Sequence, residues 1–171
     1  MTRTVFASLL IVFAAFSRLM PHPANVAPIT ALALFSAVYL ERKYTFIVPL
    51  AAMVLSDAVL GFYAGFVWVY AGFAAVGLIG LWLRNHQGAI AGVGASLAGS
   101  ALFFIVTNFG VWVSNQVSYP HTAAGLAECY TAAIPFFRNT VVGDLVYVGM
   151  MFGAFELAKK LVPTLSARTS D

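Results

Sequence analysis

The stretch Pro135 to Tyr147, PFFRNTVVGDLVY, places an arginine, an asparagine and an aspartate at the start of an otherwise apolar helix. Arg18 and Asp57 likewise stand inside apolar runs. An unpaired ion in water-poor surroundings is costly, so ionisable residues there mark functional sites by default. Arginine supplies charge-assisted N–H donors to anions or carbonyls, and aspartate balances it and orients the site. Asn25, Asn108 and Asn139 both donate and accept. Phe136, Phe137 and Tyr147 offer ring faces. With His22 and Tyr130, these residues form the expected substrate-binding set: Arg18, His22, Asn25, Asp57, Asn108, Tyr130, Phe136, Phe137, Arg138, Asn139, Asp144 and Tyr147. The plainer alternative is that Arg18 pairs with Asp57 or Asp144 and only ties helices together.

Other chemistry is less well supplied. His121 and Cys129 are the candidate metal ligands, with His22 and Glu128 on the same side, but their spacing matches no compact metal motif. No metal and no cofactor is therefore expected. Ser96 and Ser100 sit in GVGASLAGS with no base expected at their depth, and the small residues there repeat as in close helix packing. No Walker A, GxGxxG or HExxH sequence occurs, and no enzymatic activity is expected.

The elements that must position these residues follow from composition. Of 171 residues, 61% are hydrophobic and 9% charged. A soluble domain has about 25% charged residues, so this chain lacks the charge to coat a water-facing shell. A mean hydropathy of +0.90 agrees. Its long continuous apolar runs read as helices rather than alternating barrel strands, giving an all-α integral membrane protein. The net charge of +3 sits in short loops and speaks to topology, not to nucleic acid. One cysteine excludes an internal disulfide. The first apolar run is too long for a signal peptide and ends without a small-x-small site.

Six transmembrane helices are expected in one domain, at about 4–20, 28–40, 44–60, 66–83, 89–113 and 138–158. An outer loop with an interfacial helix occupies 114–137. The three prolines between Pro21 and Pro28 preclude a regular helix and suggest a lid. Pro135 is expected to break the chain before the last span, leaving Arg138 and Asn139 at a helix N-terminus that favours an anion. With both termini cytoplasmic, Arg3, Arg42, Lys43, Arg84, Lys159, Lys160 and Arg168 lie inside and only Arg18 and Arg138 lie outside. That is the positive-inside pattern. Counting about 1.5 Å per residue from the cytoplasmic anchors puts Arg18, Asp57 and Asp144 roughly 21–23 Å up, at one level. A polar chamber open to the outside is expected there.

The combination of RLMPHPANVAPITALALF, VPLAAMVLSD, FFIVTNFGVW and CY…PFFRNTVVGDLVY is similar to a family of uncharacterised small bacterial membrane proteins. That family resembles the substrate-binding S components of energy-coupling-factor vitamin transporters. The resemblance implies an S-component-like bundle in the bacterial inner membrane, an outward pocket, a lid between the first two spans, and a vitamin-like, ring-containing or anionic nutrient. It also implies an energy-coupling transmembrane subunit with ATPases as partner. S components that dock on a shared subunit carry Ala-x-x-x-Ala on the first helix. Here Ala7 is followed by Ile11 and Ala14 by Arg18, which leaves a solitary transporter equally open. The rival expectation is a structural or assembly subunit whose charges meet partner helices.

Overall fold

A computed structural model describes residues 3–21 and 25–161. Those residues form six helices and no strand: α1 (Arg3–Leu19), α2 (Ile29–Tyr39), α3 (Tyr44–Leu60), α4 (Phe66–Leu83), α5 (Ala89–Val113) and α6 (Ala123–Leu161). The first five lie within a residue or so of the expected spans. Three stretches are long and apolar enough to cross a membrane: Phe66–Leu83, Ala89–Val113 and Ala123–Lys160. Large apolar side chains cover the outside of the bundle as well as its interior. Phe13, Phe16, Val59, Leu78 and Ile90 are all more than half exposed, the pattern of a protein that meets lipid.

The short α2 is the centre. With 11 residues it spans only about 16 Å, roughly half a bilayer core. Every residue from Ile29 to Val38 is buried. Helix α2 touches all five other helices. Close approach to α4 depends on Gly80, where an added Cβ would stand 2.6 Å from the Ala37 Cβ and 3.2 Å from the Leu34 Cα. At the other end of this contact Arg84 Nη1 donates to the carbonyls of Ala37 (3.1 Å) and Leu40 (2.7 Å). A cation there satisfies orphan carbonyls and matches the negative end of the helix dipole. Helix α1 lies at the edge, mainly against α3.

Helix α6 corrects one expectation. It is 39 residues long and runs without interruption through Pro135, so the separate interfacial helix and the break before Arg138 do not form. Proline removes one backbone donor, leaving a single carbonyl four residues earlier without its amide. A long apolar helix tolerates that loss, because all its neighbouring bonds are kept. Arg138 and Asn139 therefore sit in mid-helix, and no N-terminal dipole is directed at an anion there.

Candidate ligand cavity

Arg18, in the last turn of α1, is held by α3. Its Nη1 lies 2.8 Å from Asp57 Oδ1, donates to Ser56 Oγ, and stands 3.5 Å from the Met53 carbonyl. The other carboxylate oxygen of Asp57 accepts from the Tyr70 hydroxyl of α4 at 2.8 Å. Asp57 is fully buried, yet both its oxygens are matched and its charge has a counter-ion. Breaking such a pair on one side costs about 3–5 kcal/mol. Among the described residues these contacts use one nitrogen of a group with five N–H donors.

Asp144 on α6 has different neighbours. It is 2% exposed. Ser100 of α5 stands 2.6 Å from Asp144 Oδ2 and 3.0 Å from the Ser96 carbonyl. The Thr30 hydroxyl at the start of α2 also bonds the carboxyl. Among the described residues no cation pairs with Asp144. The adjacent start of α2 offsets about 0.3–2 kcal/mol, less than the several kcal/mol an isolated buried ion costs. Ser100 was expected only to pack, with no base at its depth; it instead lies 2.6 Å from this carboxyl. Gly99 beside it does pack, against Thr30 and Val76.

Arg18 and Asp144 line one cavity of about 440 Å³. Asn25, Thr30, Thr107, Asn108 and Thr140 add polar groups to its wall. Tyr63, Phe73, Phe103, Phe104 and Phe136 add rings. Phe73 and Phe103 stack in a tilted pair with centroids 4.5 Å apart. The cavity opens where α2 begins, so the shortness of α2 leaves the space that α1, α3, α4, α5 and α6 surround. Asn25, held at φ 61°, turns the chain into α2 and borders this space.

The expected site residues divide. Arg18, Asn25, Asn108, Phe136 and Asp144 line the cavity, and Asp57 stands behind Arg18. Phe137 packs on Phe104 at 4.7 Å and backs the wall. Tyr130 donates to the Ile105 carbonyl at 2.8 Å. Arg138, Asn139 and Tyr147 do not join them; they line a separate lateral groove with Val26 and Gly143. For Arg138 and Asn139 the reason is helical phase, whereas Tyr147 lies near the Asp144 face but almost one turn further along α6. Arg138 precedes Asp144 by six residues, about 120° round an unbroken helix at 100° per residue, whereas Thr140, Phe136 and Ala133 fall nearer the Asp144 face. His22 and the centre of the expected lid lie outside the described residues.

Tyr63, Tyr70, Ser56, Thr30, Ser100, Phe103, Phe104 and Thr107 were not anticipated as site residues. A signal for several existed: Ser96, Ser100, Phe103, Thr107 and Val111 recur every three or four positions along one face of α5. Tyr63 and Tyr70 carried none, since their partners come from other helices. Among the described residues no group of three or more His, Cys, Asp or Glu is placed to hold a metal. Cys129 is buried with its Sγ 3.5 Å from the Asn108 carbonyl. His121 bonds the Trp112 carbonyl at 3.0 Å.

The chain belongs to a family of unknown function, DUF6580, which matches residues 1–165. No curated protein and no solved structure matches it significantly.

Proposed function

As a member of that family, the chain is proposed by us to capture a small ring-containing molecule in the cavity between Arg18 and Asp144 and to pass it across a membrane. In this reading it is a multi-pass protein of the bacterial inner membrane. All six helices belong to the membrane domain, α2 within the bundle, and both termini are cytoplasmic. In this reading it acts as an S component does, with an energy-coupling subunit or alone. The cavity carries the reading. Its volume lies within the roughly 300–1,000 Å³ typical of small-molecule sites, and Arg18 and Asp144 border a mainly apolar wall with five aromatic rings. The unused donors of the Arg18 fork serve a substrate carbonyl or ring nitrogen. Asn25 and Asn108 fix its edge, and Phe103, Phe104 and Phe136 hold its faces. Because Asp57 already neutralises Arg18, a full anion gains less there than a dipolar acceptor does.

The assembly-subunit alternative needs charges that face outward. Arg18 and Asp57 close on each other, and Asp144 is buried. Arg138 is exposed, so it is the residue that alternative would use.

Equilibrium binding of thiamine, riboflavin, biotin and pyridoxine to the purified protein in lipid nanodiscs tests the capture reading. Saturable one-to-one binding of at least one such ring compound, weakened by Asn108→Ala, is expected. Absence of binding across a broad panel of ring-containing nutrients would leave the assembly subunit as the better account.

A further inference from the structure

We infer that the captured molecule carries a protonated nitrogen beside a flat ring, and that Asp144 is its counter-ion; the inference rests on the capture reading above. Among the described residues, Arg18 and Asp144 are the charged ones bordering the cavity. Arg18 is already matched by Asp57 at 2.8 Å. Asp144 receives hydroxyl protons from Ser100 and Thr30, which solvate a carboxylate but do not neutralise it. Arg138 belongs to the lateral groove and brings no compensating charge. With its carboxyls ionised, the described cavity wall therefore holds one uncompensated negative charge. A positive group entering the cavity compensates it, and an ammonium does so with N–H donors for the carboxylate.

The rest of the wall selects an organic cation. Phe103 and Phe104 follow Ser100 by one turn on α5, and Phe136 precedes Asp144 by two turns on α6. The acid and the rings thus share a wall. A ring lying on these faces would set its amino group beside Asp144, where the π-systems also favour positive charge. An inorganic cation would use the same oxygens and leave the aromatic wall without a purpose.

The test uses the full chain in nanodiscs in potassium buffer with three indole probes of nearly equal size: tryptamine, neutral tryptophol and anionic indole-3-acetate. Tryptamine is expected to bind about tenfold or more tighter than either of the others, and Asp144→Asn to abolish that preference, as loss of one member of a buried charge pair does. Thr107→Trp, which fills the cavity without touching the acid, is expected to remove binding of all three. Equal binding of the three probes, or preference for indole-3-acetate, by the wild-type protein would overturn the charge assignment and leave capture intact. So would retention of the tryptamine preference by a folded Asp144→Asn protein. Sodium chloride displacing tryptamine where potassium chloride does not would assign the carboxyl to a metal cation instead. Failure of every probe, together with failure of the vitamin panel, would remove the capture reading itself.

Discussion

Asp57 and Asp144 are both buried carboxyls on apolar helices, and their surroundings set them apart. Asp57 has an arginine on one oxygen and a tyrosine hydroxyl on the other. Among the described residues Asp144 has hydroxyls alone. The first arrangement is a tie between α1, α3 and α4, and the second is a site with something still to receive. Replacing Arg18 by Ala leaves Asp57 buried without its counter-ion, with an expected loss of about 3–5 kcal/mol. The double change Arg18→Met with Asp57→Leu restores part of that loss, because it removes the unpaired ion but leaves the Tyr70 hydroxyl without its acceptor. Thermal unfolding of wild type, Arg18→Met, Asp57→Leu and the double variant in mixed micelles gives the coupling; strictly additive losses would contradict the pair. Helical rise put Arg18, Asp57 and Asp144 at one expected depth alike and left open which acid pairs with Arg18. The Ser100 contact could not be read that way, because a serine on a small-residue stripe packs or bonds according to which helix lies opposite.

At the scale of elements, helix α2 decides the architecture. The sequence made it a transmembrane helix at about 28–40, but its 11 residues cover only about half a bilayer core, and every residue from Ile29 to Val38 is buried. The bundle closes on it where glycine allows backbone to approach backbone. Gly80→Ala should therefore cost at least the ~1–3 kcal/mol of overpacking, since neither the Ala37 Cβ nor the Leu34 backbone can yield. Gly94→Ala on α5 meets nothing within 4 Å, and should instead gain up to about 1 kcal/mol from helix propensity. Equal effects of the two changes in thermal unfolding would refute the α2–α4 contact. The extents of α1 to α5 were legible because apolar runs and turn residues coincide at their ends. Helix α6 was not. Proline reads as a boundary in sequence, but the decision between break and continuation rests on whether the rest of the helix keeps its bonds. That decision moved Arg138 and Asn139 off the cavity face.

For the whole molecule, the distribution of charge and the cavity bear on each other. The loops at the α2–α3 and α4–α5 turns and the end of α6 carry Arg42, Lys43, Arg84, Lys159 and Lys160, while the cavity lies toward the end of the bundle where α1 finishes and α2 begins. The proposed topology puts that basic end in the cytoplasm and the cavity toward the outside. In a Cys129→Ser background, a cysteine replacing Asn115 in the α5–α6 turn should react with a membrane-impermeant maleimide on intact cells. One replacing Gln87 in the α4–α5 turn should react only after permeabilisation. The reverse pattern would invert the protein and with it the direction of capture.

Occupation of the cavity is the claim on which the rest depends, and the binding isotherm of tryptamine to wild-type protein beside Thr107→Trp measures it most directly. A saturable one-to-one isotherm for the wild type, absent from a Thr107→Trp protein that still melts cooperatively, is the predicted result. Identical isotherms for the two proteins would place the ligand elsewhere and contradict the account.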